Sequence, residues 1–128
     1  PELSVTASRA GEDHHIPAIR GVFAIAPAAI QALRPESLAR LSMPVAILLG
    51  DADPVAVPAT NGLAAAKAMP GAQVKLLPGV GHYDFLGTCT DAGRAATPLC
   101  TATVPQDRTH KTATDMALVF FGKALGTP

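Results

Sequence analysis

Three apolar runs, each closed by a proline or a glycine, form the clearest pattern along the chain. They occupy residues 21–27, residues 45–50 and, with more polar positions, residues 73–78. Apolar runs without polar alternation are typical of strands that are covered on both faces, as in parallel sheets. The pattern therefore predicts three strands of a parallel sheet.

Helical patterns separate and follow these runs. Residues 30–41 predict a short helix broken by Pro35, and residues 58–69 predict a firmer one that begins at a proline and ends before a Pro-Gly pair. The clearest amphipathic helix covers about residues 108–125. Its apolar positions recur at helical spacing: Ala113, Met116, Ala117, Phe120, Phe121 and Ala124.

The remaining segments predict loops. Residues 1–17 are polar and indicate a loop or the tail of a helix, and residues 82–106, rich in Gly, Thr and Pro, indicate a long irregular loop. A loop of that length is usually functional. The alternation of strands and helices predicts an α/β fold.

The composition restricts the classes of function. Of 128 residues, 48% are hydrophobic and 16% are charged, so the chain is apolar enough to bury a core. Lys plus Arg and Asp plus Glu each number 10, and a net charge of zero lacks the basic field that nucleic-acid binding requires. No apolar run approaches the ~20 residues of a bilayer span. Neither a nucleic-acid partner nor a membrane span is expected.

Carboxylates and a histidine follow two of the predicted strands. Asp51 and Asp53 come after the second run, and His82 follows the third. The carboxyl ends of parallel strands converge in one crevice, so these side chains could meet. A buried carboxylate on one ring nitrogen fixes the tautomer of a histidine and stabilises its imidazolium, which general-base catalysis needs. Taken alone, Asp53 also fits a turn carboxylate and His82 a loop histidine, while Asp51 is the rival acid and is expected to face solvent.

Two motifs at these strand ends resemble the C-terminal half of an α/β-hydrolase. An apolar strand ending in G-x-x-D is matched by Gly50 and Asp53, and a G-x-G-H-like turn after the next strand is matched by Gly79, Gly81 and His82. The order Asp then His is the hydrolase order. The resemblance covers most of the chain and implies a serine esterase in which Asp53 is the triad acid and His82 the general base. It implies no metal and no organic cofactor.

A finer resemblance rests on the sequence after the histidine. The His-x-x-Phe-Leu continuation of residues 82–86, the cysteine-containing loop and the final helix with Phe120 and Phe121 are similar to dienelactone-hydrolase-like and platelet-activating-factor-acetylhydrolase-like esterases.

The chain departs from the family at the nucleophile. The elbow motif G-x-S-x-G is absent, since no serine or cysteine has the flanking glycines. The serines are Ser4, Ser8, Ser37 and Ser42. The resemblance therefore implies that residues 1–128 are the C-terminal part of one hydrolase domain. Nucleophile and oxyanion hole would come from an N-terminal portion, either cut away or held as a separate chain after cleavage.

Four further candidate residues follow the proposed base in the sequence. Tyr83 and Phe85 flank it and are candidates to line an acyl pocket, although packing in the core is an equal alternative. Cys89 and Cys100 are too far apart for a C-x-x-C redox or metal pair. We predict a disulfide, worth ~3 kcal/mol by restricting the unfolded loop, with two reduced thiols as the alternative. A disulfide indicates a periplasmic or secreted protein.

The other histidines receive ordinary roles. Asp13, His14 and His15 are adjacent, so their side chains diverge, and no second cluster has zinc-like spacing. A solvated loop is expected there, and no metal. His110, near the start of the last predicted helix, is expected to cap or to pack.

Two hypotheses of function follow. In the first, the chain is a segment of a serine-dependent carboxylic ester hydrolase, with a small-molecule ester as substrate. In the second, it is a non-catalytic hydrolase-like binding or interaction module that lost its nucleophile. Without an N-terminal portion, residues 22–25 and 45–49 would leave an apolar sheet edge unpaired.

Overall fold

A parallel sheet organises the computed structural model, which describes residue 12, residues 16–102 and residues 104–126. The strands are β1, Val22–Ile25, β2, Val45–Gly50, and β3, Gln73–Leu77, in the order β1-β2-β3. Both neighbouring pairs run parallel, with Val22 beside Val45 and Ala46 beside Gln73. The predicted parallel sheet is confirmed.

Short helices connect the strands, and a long one follows them. The α-helices of the described part are α1, Pro35–Ala39, α2, Gly62–Ala68, α3, Asp91–Ala96, and α4, Gln106–Leu125. Turns of 3₁₀ helix lie at Ile30–Ala32, Pro58–Thr60, His82–Phe85 and Pro98–Cys100. The amphipathic last helix agrees with the sequence pattern and begins two residues earlier than predicted.

Three of the predicted segments differ in detail. The helix predicted for residues 30–41 is a 3₁₀ turn, Ile30–Ala32, followed by α1, which begins at Pro35. The helix predicted for residues 58–69 is a 3₁₀ turn followed by α2, because the backbone of Asn61 (φ −121°, ψ −99°) interrupts it. Residues 82–106 are not irregular throughout, since they contain α3 and two 3₁₀ turns. Thr90 begins α3 as its N-cap, where Oγ1 accepts a hydrogen bond of 3.1 Å from the Gly93 N–H.

The core has one half on each face of β2. On one face, alternate residues Val45, Ile47 and Leu49 pack with Ala65 and Met69 from α2 and the residue after it. On the other face, Leu48 packs with residues of β3 and of the loop after it, and α4 covers this cluster through Ala113 and Met116. Every residue of β2 is buried, which explains its continuous apolar run.

The outer strands are less covered than the apolar runs predict. Val22 and Ile25 of β1 are 37% and 43% exposed, and the first four residues of β3, Lys75 among them, are exposed. Phe23 of β1 contacts Phe120 of α4 at a ring-centroid distance of 5.9 Å. The expectation of cover on both faces is therefore correct for β2 alone. β2 has no open edge, because it lies between the other two strands, whereas β1 and β3 each have one in the described part of the chain.

No helix in the described part of the chain combines the length and the apolar character needed to cross a bilayer.

Candidate active site

The loops after β2 and β3 are joined by backbone hydrogen bonds. The Ala52 N–H donates to the Val80 carbonyl at 3.1 Å, and the Asp51 N–H donates to the Leu77 carbonyl at 3.0 Å. The Asp51 carboxylate accepts a further bond of 2.6 Å from the Gly79 N–H and is exposed, as the sequence predicts. These contacts hold the two strand ends side by side, so the residues that follow them must meet.

Glycine is required where the two loops touch. A Cβ atom on Gly50 would lie 2.1 Å from the carbonyl oxygen of Val80, a distance that no side chain tolerates. Gly79 has φ +73°, a left-handed conformation that L side chains rarely adopt. Gly50 thus lets the two loops approach and Gly79 permits the left-handed turn, whereas a Cβ atom on Gly81 would lie no closer than 3.6 Å to its nearest neighbour.

Asp53 is buried, and each of its carboxylate oxygens has a separate role. Oδ1 accepts the N–H groups of Val55 at 2.8 Å and Ala56 at 2.7 Å, which closes the turn after β2. Oδ2 lies 2.8 Å from Nδ1 of His82. The two interpretations of Asp53, a turn carboxylate and a histidine partner, are therefore both realised, one at each oxygen.

His82 opens the 3₁₀ turn His82–Phe85 and is partly exposed. An ionised carboxylate only accepts hydrogen bonds, so the bond to Asp53 assigns the proton to Nδ1. Nε2 forms no hydrogen bond with any residue that the structure describes, and 25% of the side chain is exposed. In its neutral form this ring offers a lone pair at Nε2, which is what a general base needs.

A second buried carboxylate fixes the start of this turn. Asp84 is 6% exposed, and its Oδ2 accepts the Gly81 N–H at 2.7 Å. Asp84 is not among the site residues predicted from the sequence. The signal was present, because an acidic residue three positions after the residue that begins a turn is typical of a capping arrangement.

The end of the same turn is held by α4. The carbonyl of Leu86 accepts hydrogen bonds from Nε2 of Gln106 at 3.0 Å and from Nε2 of His110 at 2.7 Å. His110 thus neither caps the helix nor serves only in packing, and the role of Gln106 was missed. No motif in the sequence marks a contact to a backbone carbonyl.

The two aromatic candidates differ in their surroundings. Phe85 packs against the buried cluster of Leu48, Leu77 and Val80, so its contacts are those of a core residue. Tyr83 meets the imidazole of His82 edge to face, with ring centroids 5.3 Å apart. A role in an acyl pocket stays a prediction for both.

Cys89 and Cys100 form the predicted disulfide. It encloses α3, and a Cβ atom on Gly93 of this helix would lie 3.6 Å from Sγ of Cys100. Arg94 adds a hydrogen bond of 2.6 Å from Nη1 to the Cys89 carbonyl. The loop after the His82 turn is therefore cross-linked and internally bonded.

The serines of the described part lie away from this pair of loops. Ser37 is on α1, where its Oγ accepts a bond of 3.4 Å from Arg40, and Ser42 is an exposed residue before β2. Ser4 and Ser8 fall outside the described residues, as do Asp13, His14 and His15. Residues 16–102 and 104–126 contain no group of three His, Cys, Asp or Glu side chains arranged to hold a metal.

The arrangement of strands has a counterpart among solved structures. The crystal structure of a predicted CIB-like hydrolase from Thermoplasma acidophilum superposes with a TM-score of 0.51 at 17% sequence identity. The match covers 77% of this chain and 39% of that one, so the chain spans well under half the length of this relative. No protein-family model matches the chain. No curated protein matches it. The likeness shows the fold class, an α/β fold with a parallel sheet and flanking helices.

Proposed function

We propose that this chain supplies the acid and the general base of a serine-dependent carboxylic ester hydrolase. The observation that carries the proposal is the 2.8 Å contact between Oδ2 of buried Asp53 and Nδ1 of partly exposed His82 at the ends of neighbouring strands. A buried carboxylate that orients an imidazole with a free second nitrogen is the acid and base portion of a triad. The hydrolase-type fold supports the same conclusion. We also propose, from the sequence after His82, that the enzyme is similar to dienelactone-hydrolase-like and platelet-activating-factor-acetylhydrolase-like esterases.

In the proposed reaction, His82 moves one proton in each half. Nε2 takes the hydroxyl proton of a serine as its oxygen attacks the ester carbonyl carbon, and it returns that proton to the leaving alcohol when the carbon–oxygen bond breaks. A water molecule then loses a proton to Nε2, attacks the acyl-serine and releases the acid, and the proton returns to the serine. Asp53 stabilises the imidazolium throughout and stays ionised.

The serine and the oxyanion hole would come from an N-terminal portion of the same hydrolase. An open apolar surface supports this partner. One edge of β1 has no neighbouring strand in the described part of the chain. On α4, Leu118, Phe121 and Leu125 form an exposed stripe at helical spacing, and Leu118 is 69% exposed. Additional strands beside β1 would cover the edge, and their flanking helices would cover the stripe.

We also propose that the protein is located in an oxidising compartment. A disulfide between Cys89 and Cys100 is stable in the periplasm or outside the cell and is rare in a reducing cytosol. We therefore infer a periplasmic or secreted enzyme.

Labelling with a fluorophosphonate tests the proposal in the intact polypeptide that contains residues 1–128. Because the probe reacts with a serine activated by its histidine, we expect mass spectrometry to find the label on a serine outside these residues. His82→Ala is expected to abolish both labelling and hydrolysis of nitrophenyl acetate. Lys111→Ala, which removes only an exposed ion pair with Asp115 on α4, is the matched control and is expected to behave as the parent.

Two outcomes would overturn the proposal. Labelling and hydrolysis that survive in His82→Ala would exclude this residue as the base. A polypeptide that neither reacts with the probe nor hydrolyses any ester in a panel of increasing acyl length would instead support the non-catalytic module.

A further inference from the structure

Hydrogen bonds from α4 hold the end of the 3₁₀ turn that carries His82. Leu86 closes the turn, because its N–H donates to the Tyr83 carbonyl at 3.1 Å. Its own carbonyl is the acceptor for Nε2 of Gln106 and Nε2 of His110. These two donors are one helical turn apart and reach the same oxygen.

We propose that Gln106 and His110 are positioning residues for His82, which act by fixing the Leu86 carbonyl. This inference rests on the proposed function. It adds that contacts from α4 determine the orientation of the general base, His82. The contacts of Gln106 and His110 in the described part of the chain do not include a direct contact with His82.

Apolar packing alone does not orient this turn. Phe85 packs into the core beneath it, but hydrophobic contact is non-directional and leaves the turn free to rotate about that anchor. The side chain of Leu86 contributes little to this packing, since it is 59% exposed. Hydrogen bonds weaken steeply when they bend, so two of them on one carbonyl fix the rotation that packing leaves open.

Both ends of the turn are then constrained. At its start, Asp84 accepts the Gly81 N–H and Asp53 holds the His82 ring. At its end, the bonds to the Leu86 carbonyl connect it to α4, which is 20 residues long and packs across the sheet. Loss of the bonds at the end would let the turn tilt about its start and move Nε2 of His82 relative to the serine.

The donor at His110 does not depend on charge. A carbonyl oxygen only accepts, so Nε2 carries the proton, and both the neutral Nε2–H tautomer and the imidazolium donate from this atom. Glutamine places an amide N–H at a similar distance from the backbone. His110→Gln should therefore keep the contact that His110→Ala removes, and it separates the hydrogen bond from the imidazole itself.

Steady-state hydrolysis of nitrophenyl acetate by the intact polypeptide tests the inference. A displacement of about 1 Å in a catalytic group can cost up to about 100-fold in rate, so we expect His110→Ala to lower kcat about tenfold with KM unchanged. Gln106→Ala should give a smaller decrease, and the double variant the largest. His110→Gln should recover most of the loss, and Lys111→Ala should match the parent.

A second measurement does not need activity. The Nδ1 proton of His82, held by Asp53, should give a downfield NMR resonance that broadens or shifts in His110→Ala and is restored in His110→Gln. If both kcat and this resonance are unchanged in His110→Ala, or if His110→Gln behaves like His110→Ala, the positioning role is wrong. A parent polypeptide without esterase activity contradicts the proposed function, while the resonance still decides whether α4 positions His82.

Discussion

Oδ2 of Asp53 lies 2.8 Å from Nδ1 of His82, while Oδ1 of the same carboxylate accepts the N–H groups of Val55 and Ala56. The carboxylate therefore orients the imidazole from a position that the backbone itself fixes. Movement of Asp53 toward or away from His82 would break the turn after β2. Orientation of the base and closure of this turn are thus one structural feature.

Asp53→Asn separates the two roles of this carboxylate. The amide oxygen can still accept from the backbone, which leaves the amide NH₂ facing Nδ1 of His82. Nδ1 must then accept, and the proton moves to Nε2, where it blocks proton abstraction. We expect kcat for nitrophenyl acetate to fall by about 10³–10⁴ with little change in the urea unfolding midpoint.

The matched control for this variant is Asp51→Asn. Its carboxylate is exposed and bonds only the Gly79 N–H among the contacts described, so kcat should change less than about tenfold. If Asp51→Asn were the more damaging variant, Asp51 and not Asp53 would be the triad acid.

Gly50→Ala tests the close approach of the two loops. The new methyl group would meet the Val80 carbonyl at 2.1 Å, and because this neighbour is backbone it cannot rotate away. We expect a loss of about 3 kcal/mol or more in the free energy of unfolding, measured by urea denaturation.

Gly71→Ala is the control for Gly50→Ala, since nothing lies within 4 Å of its added Cβ atom. Its stability should match the parent or exceed it slightly, because alanine restricts the unfolded chain. Equal effects of the two substitutions would contradict the steric role of Gly50.

Removal of the disulfide should loosen the loop after the His82 turn. Reduction, or the double substitution Cys89→Ser and Cys100→Ser, is expected to cost about 3 kcal/mol in unfolding free energy. Urea midpoints with and without dithiothreitol measure the effect. The double variant is the control and should show no response to the reductant, whereas a parent that is equally insensitive would mean that the bond contributes nothing.

Phe85 and Tyr83 can be distinguished by what their loss changes. Phe85→Ala should destabilise the fold by about 2 kcal/mol, since the side chain packs in the core but is only partly buried, and should leave the preference among acyl chain lengths unchanged. Tyr83→Ala should retain stability and alter KM across nitrophenyl esters of increasing length. A changed chain-length preference in Phe85→Ala at full stability would return Phe85 to the substrate pocket.

The pairing of Asp53 with His82 could be predicted because its causes are local. A continuous apolar run places β2 in the centre of the sheet, Gly50 permits the loops to touch, and parallel strands bring their carboxyl ends together. The cysteine pair was predictable for a similar reason, since both residues lie in one loop.

The contacts from α4 to the Leu86 carbonyl could not be predicted in this way. A backbone carbonyl has no residue-type signature, and which side chain reaches it depends on how α4 crosses the sheet. The exposure of β3 was missed because an apolar run reports strand propensity, whereas cover depends on which elements pack against it. The helix α3 was hidden by Gly and Thr, which suggest loops, although Thr90 is its N-cap.

The two open edges of the sheet differ in how readily each could pair with a strand of a second copy of the chain. Both strands carry exposed apolar side chains, Val22 and Ile25 on β1 and Val74 and Leu76 on β3. Lys75 in the middle of β3 is also exposed, and a lysine on an edge strand discourages pairing. Pairing of β1 with β1 of a second copy is isologous and closes after two copies, while pairing of β1 with β3 is heterologous and either closes into a ring or continues as a filament. Lys75 therefore disfavours the one kind of edge pairing that can continue from copy to copy.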